Sequence, residues 1–203
     1  MLASISPVGE AARGQRWPIT ATAYLVASAL GGASVGALAG LLGWGLFALV
    51  GTPPVGALVA VLVVASIVAV LVDRGALRVQ LPSWQRQVDE RWLTSYRGWA
   101  YGAGFGFQLG AGVLTRIPSA AFHLVLLAAV ATGSITAGVL IGLCFGTVRA
   151  LPLLLAGRHR DPASLNAFHQ RMDAAAPVAG RVTTTVVALA AAALTTAAVA
   201  VAG

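Results

Sequence analysis

Glycine recurs at a spacing of four residues in three separate apolar stretches of this chain. The three trios are Gly32, Gly36 and Gly40; Gly102, Gly106 and Gly110; and Gly138, Gly142 and Gly146. Four residues make about one turn of α-helix, so each trio forms a groove without side chains where a neighbouring backbone can approach closely. In a soluble helix each of these glycines would cost about 1 kcal/mol relative to alanine. The pattern therefore predicts an all-α, polytopic membrane bundle with tightly packed helices.

The composition agrees with a membrane protein. Only 9% of the 203 residues are charged and 58% are hydrophobic, whereas about 25% of the residues in a soluble domain are charged. The net charge is +7, and all thirteen basic residues are arginines, most of them at the ends of apolar segments. Such arginines meet anionic headgroups, so we expect a lipid bilayer as partner. Because no basic face with interleaved aromatic residues is present, nucleic-acid binding is not expected.

The apolar segments predict a single transmembrane domain over residues 19–203 behind a polar cytoplasmic tail at residues 1–18. The predicted spans are about 19–50, 55–72, 99–115 continued by 118–133, 135–155 and 178–201, with interfacial segments at 74–97 and 157–176. If the block 99–133 crosses the membrane once, with a broken helix near Pro118, the chain has five crossings. If the block crosses twice, the chain has six. One crossing leaves every flanking arginine on the cytoplasmic side, so the arginines favour five crossings and a cytoplasmic N-terminus.

Residues 102–157 resemble a known family. The stretch begins GAGFGFQLGAGVLTRIP and continues through GSITAGVLIG to RALPLLL, and it resembles the second half of CcdA/DsbD-type membrane domains of cytochrome c biogenesis and thiol–disulfide exchange. That resemblance implies a bacterial cytoplasmic membrane protein with half-helices around a break. The family's paired cysteines are missing, and Cys144 matches neither position. The resemblance therefore implies a redox-silent relative, or one that passes a solute as exporters of the wider superfamily do.

A weak internal repeat also bears on transport. Residues 52–58 resemble residues 134–140, and each run follows a segment with a glycine trio. Duplicated halves with interrupted helices are how many transporters build a midplane site. Chance similarity between helices of small residues explains the repeat equally well.

Polar residues within the predicted spans are the candidate substrate-binding residues: Gln108, Thr115, Arg116, His123 and Arg149. Each has a structural alternative, namely an interhelical hydrogen bond for the amide and imidazole, and an interfacial or clamping role for the arginines. Pro118 and Pro152 break helices and free backbone groups nearby. The single cysteine, Cys144, is interpreted as a small packing residue. No nucleophile–base pair, phosphate loop or metal-ligand spacing occurs, so we expect no enzyme activity, cofactor or metal.

These observations predict a protein that translocates a small solute, with an anion favoured by the arginines. The alternative is a non-transporting subunit or scaffold of a redox, cofactor-maturation or other membrane complex. In either case the glycine-lined faces offer contacts for a homo-oligomer or another membrane subunit. A lipid-modifying enzyme would need acid–base groups at the interface, and the available ones lack recognisable spacing: Asp89, Glu90, His159, Asp161 and His169.

Overall fold

The computed structural model describes residues 5–77, 79, 92–112 and 119–202. Over these ranges the chain is entirely helical, without strands, and its helices are α1 (Pro7–Ala12), α2 (Trp17–Val50), α3 (Val55–Asp73), α4 (Trp92–Ser95), α5 (Gly98–Ala111), α6 (Ala121–Ala131), α7 (Ile135–Ala150), α8 (Pro152–Ala156) and α9 (Pro162–Ala202). Four segments are long and apolar enough to cross a membrane: Trp17–Val50, Val55–Asp73, Ile135–Ala156 and Pro162–Thr196. The predicted class, an all-helical chain compatible with a membrane, is confirmed.

The helix boundaries follow local signals. Helix α2 has Pro18 in its first turn and ends at Gly51, whose φ of 86° is left-handed and suits glycine. Residues 162–176 of the predicted interfacial segment and the predicted span 178–201 lie in the single 41-residue helix α9, with Pro177 inside it. An interior proline removes one backbone hydrogen bond and kinks a helix, and the alanines on its N-terminal side favour helix strongly.

Helix α2 is the centre of the packing, and α7 runs antiparallel along it. Gly36 faces Gly138, and Gly40 faces Ser134. The two backbones are so close that a Cβ on Gly36 would lie 2.9 Å from the carbonyl carbon of Gly138 and still nearer its oxygen. The Ser28 hydroxyl donates a 2.7 Å hydrogen bond to the Gly146 carbonyl at the far end of this contact. Two of the three predicted glycine faces therefore lie against each other.

Helix α5 packs on another side of α2 and runs parallel to it. Its glycines at 102, 106 and 110 face the carbonyls of Thr20, Tyr24 and Ser28 in that order. Along the same direction, Gly43 of α2 faces Val130 near the end of α6. Helices α5 and α6 therefore follow one another along α2. The predicted break at Pro118, with Thr115 and Arg116, lies outside the described residues.

An acidic cap joins the end of α3 to the start of α6. The Asp73 carboxylate accepts hydrogen bonds from the Ser119 hydroxyl at 2.6 Å and from the Ala120 amide at 2.8 Å. A carboxylate at this position satisfies free N–H groups and complements the positive end of the helix dipole. The cap therefore fixes where α6 begins relative to α3.

Helix α9 begins at a second acidic cap. Asp161 accepts a 2.6 Å hydrogen bond from the Ser164 hydroxyl and a 2.8 Å bond from the Ser164 amide. These bonds stabilise the ionised carboxylate and hold the pKa of Asp161 below its ordinary value. The exposed loop after α8 thus ends in a defined helix start.

Candidate functional site

A groove of about 740 Å³ runs along the outside of α7 beside α6. The residues that line it are Val125, Leu140, Ile141, Cys144, Phe145, Val148 and Arg149. Its lining surface is apolar, and Arg149 is the only charged residue among those named. Such a groove offers apolar contact along its length and one positive charge at one end. Contrary to the predicted packing role, the Cys144 thiol is exposed in this groove.

Arg149 is held in place by neighbours on two helices. It lies in the last turn of α7, where a cation complements the negative end of the helix dipole. Its guanidinium carbon is 5.6 Å from the centre of the Phe145 ring, within the range of a cation–π contact. It also lies near Tyr24 of α2. The half-buried side chain is thus a positioned charge, as expected of a binding group.

Gln108 and His123 are not among the described residues that line this groove. Gln108 is half-buried on α5. His123 is half-buried on α6, and within the described part of the chain its Nδ1 atom is buried without a hydrogen-bond partner. Pro152, three positions after Arg149 in the sequence, is the first residue of the short helix α8. Of the five predicted binding residues, the structure places Arg149 in the groove, leaves Gln108 and His123 outside its lining, and does not describe Thr115 or Arg116.

The meeting point of α2, α5, α6 and α7 is closed. A void of only about 10 Å³ lies there, bordered by Gly36, Ala111, Phe122, Gly142 and Phe145 among others. This is about the volume needed for a single water molecule. The Phe122 and Phe145 rings, which both border this void, have their centres 5.4 Å apart. In the described residues, space for a ligand lies on the outer side of α7 and, in a second cavity of about 320 Å³, between α3 and α9.

A buried acidic cluster at the N-terminal end of the bundle was not predicted from the sequence. Glu10 is fully buried, and its carboxylate accepts hydrogen bonds from the Tyr101 hydroxyl, from the Thr20 hydroxyl at 2.6 Å and from Arg13 at 2.7 Å. Burial disfavours the charged form of Arg13, but its hydrogen bonds to Glu10 and Tyr101 outweigh that effect and raise its pKa. The cluster thus pairs opposite charges and ties α1 to α2 and α5.

The predicted polar tail is therefore corrected for the described residues 5–16. Ile5 is 1% exposed and packs in a core cluster with Tyr24, Tyr101 and Leu153. The Gly98 amide donates a 3.1 Å hydrogen bond to the Gln15 side chain. The available sequence signal was Ser6-Pro7, because serine at the N-cap followed by proline marks a helix start. Nothing local to residues 5–16 identifies Tyr101 as their partner.

Comparisons with known proteins add no relative. No protein-family model, no curated protein and no solved structure matches this chain. The coarse class rests on the chain itself, since four segments among the described residues are long and apolar enough to span a membrane, which indicates a membrane protein.

Proposed function

We propose that this chain is an integral protein of the bacterial cytoplasmic membrane that translocates a small organic anion. The observation that carries the proposal is the apolar groove of α7 with a single, positioned charge at Arg149. An arginine at membrane depth is expensive, so it is typically retained for a partner or a substrate. The groove supplies apolar contact, and the guanidinium supplies up to five N–H donors for a carboxylate or phosphate.

The proposal includes five crossings, with residues 98–131 as one interrupted crossing and the N-terminus in the cytoplasm. The order of contacts along α2 supports it, because α5 begins beside Thr20 and α6 ends beside Gly43. The antiparallel contact of α7 with α2 returns the chain to the first side. Arg13, Arg16, Arg97 and Arg158 then all lie toward the cytoplasm, in accordance with the positive-inside rule.

Cysteine labelling of intact cells tests this topology. Single cysteines at Ser119, Ser134 and Ser164 are introduced into a Cys144→Ser background and treated with an impermeant maleimide. Five crossings predict labelling at position 134 and none at position 164. Position 134 precedes α7 and position 164 lies at the start of α9, so the two are on opposite sides of the membrane. Position 119, beside Asp73 at the cytoplasmic end of α3 in this topology, is expected to stay unlabelled. Labelling at 164 but not at 134 would contradict the arrangement.

Transport itself is tested by substitution of the groove charge. Purified protein in liposomes is assayed for uptake of labelled carboxylates and phosphate esters. Arg149→Gln is expected to lower uptake about tenfold or more, because a hydrogen bond to a charged group contributes about 1.5–3 kcal/mol. Arg149→Lys keeps the charge and is expected to retain part of the activity.

Arg158→Gln is the matched control, since it removes the same charge from an exposed arginine outside the groove lining. Its uptake is expected to equal that of the wild type. Equal uptake by Arg149→Gln and wild type would remove Arg149 from the mechanism. No uptake of any anion by the wild type would contradict translocation.

A non-transporting membrane subunit is the second candidate, and the closed meeting point of α2, α5, α6 and α7 supports it. A void of about 10 Å³ gives no path for a solute among these helices. A subunit of this kind would keep its helices fixed and present its outer faces to partners. Co-purification of a stoichiometric membrane partner, together with absence of uptake, would favour this function over translocation.

A further inference from the structure

We infer that the α7 groove binds an anionic membrane lipid, with an acyl chain along the groove and the headgroup at Arg149. This inference names the ligand class of the site proposed above and therefore rests on that site. The groove lining is apolar, and among the described residues that form it Arg149 is the charged one. A hydrophilic anion such as sulfate would lose its hydration against these walls and gain contacts at one end only.

The dimensions of the groove suit a lipid chain. From Leu140 to Arg149 the groove follows nine residues of helix, which is roughly 13 Å at 1.5 Å per residue. Its volume of about 740 Å³ lies within the usual range of ligand sites, about 300–1,000 Å³. Leu140 and Val148 in the lining are exposed, at 61% and 59%. The groove therefore opens sideways, toward the lipid, along the face where an acyl chain can enter.

The position of Arg149 along the bundle suits a headgroup. It lies in the last turn of α7, at the carboxyl end of that helix. Basic groups between helices at such an end attract anionic lipid headgroups. Because the described residues that line the groove include Arg149 and no acid, charge complementarity selects an anionic over a zwitterionic headgroup. The acyl chain then lies along the apolar side chains of the groove. The charged headgroup contacts Arg149 at the end of α7.

Protection of Cys144 gives a direct measurement of occupancy. This thiol is exposed in the groove, and the chain has no other cysteine. The wild-type protein in a neutral detergent is alkylated with N-ethylmaleimide, and the rate is followed by intact mass with increasing dioleoyl phosphatidylglycerol or dioleoyl phosphatidylcholine. We expect phosphatidylglycerol to slow alkylation about fivefold more than phosphatidylcholine, the preference that one arginine near anionic lipid provides.

Charge variants decide whether Arg149 is the cause. Arg149→Gln is expected to abolish the preference for phosphatidylglycerol, whereas Arg149→Lys and the control Arg158→Gln are expected to keep it. An unchanged alkylation rate without lipid shows that the groove is intact in each variant. Equal protection by the two lipids in the wild type, or a preference that survives in Arg149→Gln, would overturn the inference. Protection by sodium sulfate at the same concentration would overturn it as well.

Binding and transport fail in different ways. Protection by phosphatidylglycerol without uptake of any anion leaves the lipid site standing and removes translocation. Uptake of small hydrophilic anions without lipid protection removes the lipid site and leaves translocation. The two measurements use the same purified full-length chain, so a difference between them reports on function and not on the preparation.

Discussion

Gly36→Ala is expected to lower the free energy of unfolding by about 3 kcal/mol. A Cβ at this position would lie 2.9 Å from the carbonyl carbon of Gly138 and 3.0 Å from the Cα of Gly142. Both neighbours are backbone atoms, so no side chain can rotate away, and α2 and α7 must separate along their contact. Separation loses the dispersion contacts that drive helix association in lipid. Titration with sodium dodecyl sulfate, followed by circular dichroism, measures the loss.

Gly45→Ala is the matched control in the same helix. A Cβ at Gly45 meets no atom within 4 Å. Alanine there favours helix over glycine, so this variant is expected to be unchanged or more stable by up to about 1 kcal/mol. If Gly36→Ala and Gly45→Ala unfold at the same detergent fraction, α2 and α7 do not approach as closely as described here.

Glu10→Ala is expected to destabilise the folded chain by about 3–5 kcal/mol, the usual loss when one partner of a buried ion pair is removed. The substitution takes the carboxylate from Arg13 and the hydrogen-bond acceptor from Thr20 and Tyr101. Residues 5–16 are then expected to release from α2 and α5. Unfolding in detergent gives the free energy, and limited proteolysis of the N-terminal segment gives the local effect.

Asp173→Ala is the control, because Asp173 is an exposed acid on α9. Its stability and its N-terminal proteolysis are expected to match the wild type. Tyr101→Phe removes one donor to Glu10, and its effect should not add to that of Glu10→Ala, since both substitutions break the same hydrogen bond. Additive effects, or unchanged proteolysis in Glu10→Ala, would show that the carboxylate does not hold the segment.

The Glu10 cluster and the groove lie at the same end of the bundle. Ile5 shares a core cluster with Tyr24 and Ala150. Tyr24 lies near Arg149, and Ala150 follows Arg149 in the sequence. Docking of the N-terminal segment therefore helps to fix the helix end that carries the charge of the groove. Loss of the segment is expected to act on the groove through packing.

Most of the long apolar helices were predictable from the sequence, because the signals that form and end them are local. Long apolar runs predict helices in lipid, since every backbone polar group must be satisfied within the segment. The boundaries of α2 and α3 follow from Pro18, Gly51 and Pro54, whose backbone preferences need no partner. Glycines four residues apart define one helix face for the same reason. Pro177 does not end α9, because the flanking alanines and the rest of the helix outweigh one lost hydrogen bond.

The sequence by itself thus determined the long apolar helices and the glycine-lined faces on them that carry no side chains. Only the tertiary structure decided that α2 receives both α5 and α7, that Glu10 is buried beneath Tyr101, and that Arg149 ends an outer groove. These outcomes depend on contacts such as Ser28 with Gly146, between residues 118 positions apart. Helical periodicity fixes which side chains share a face, but the partner of that face is set by the packing of the whole chain.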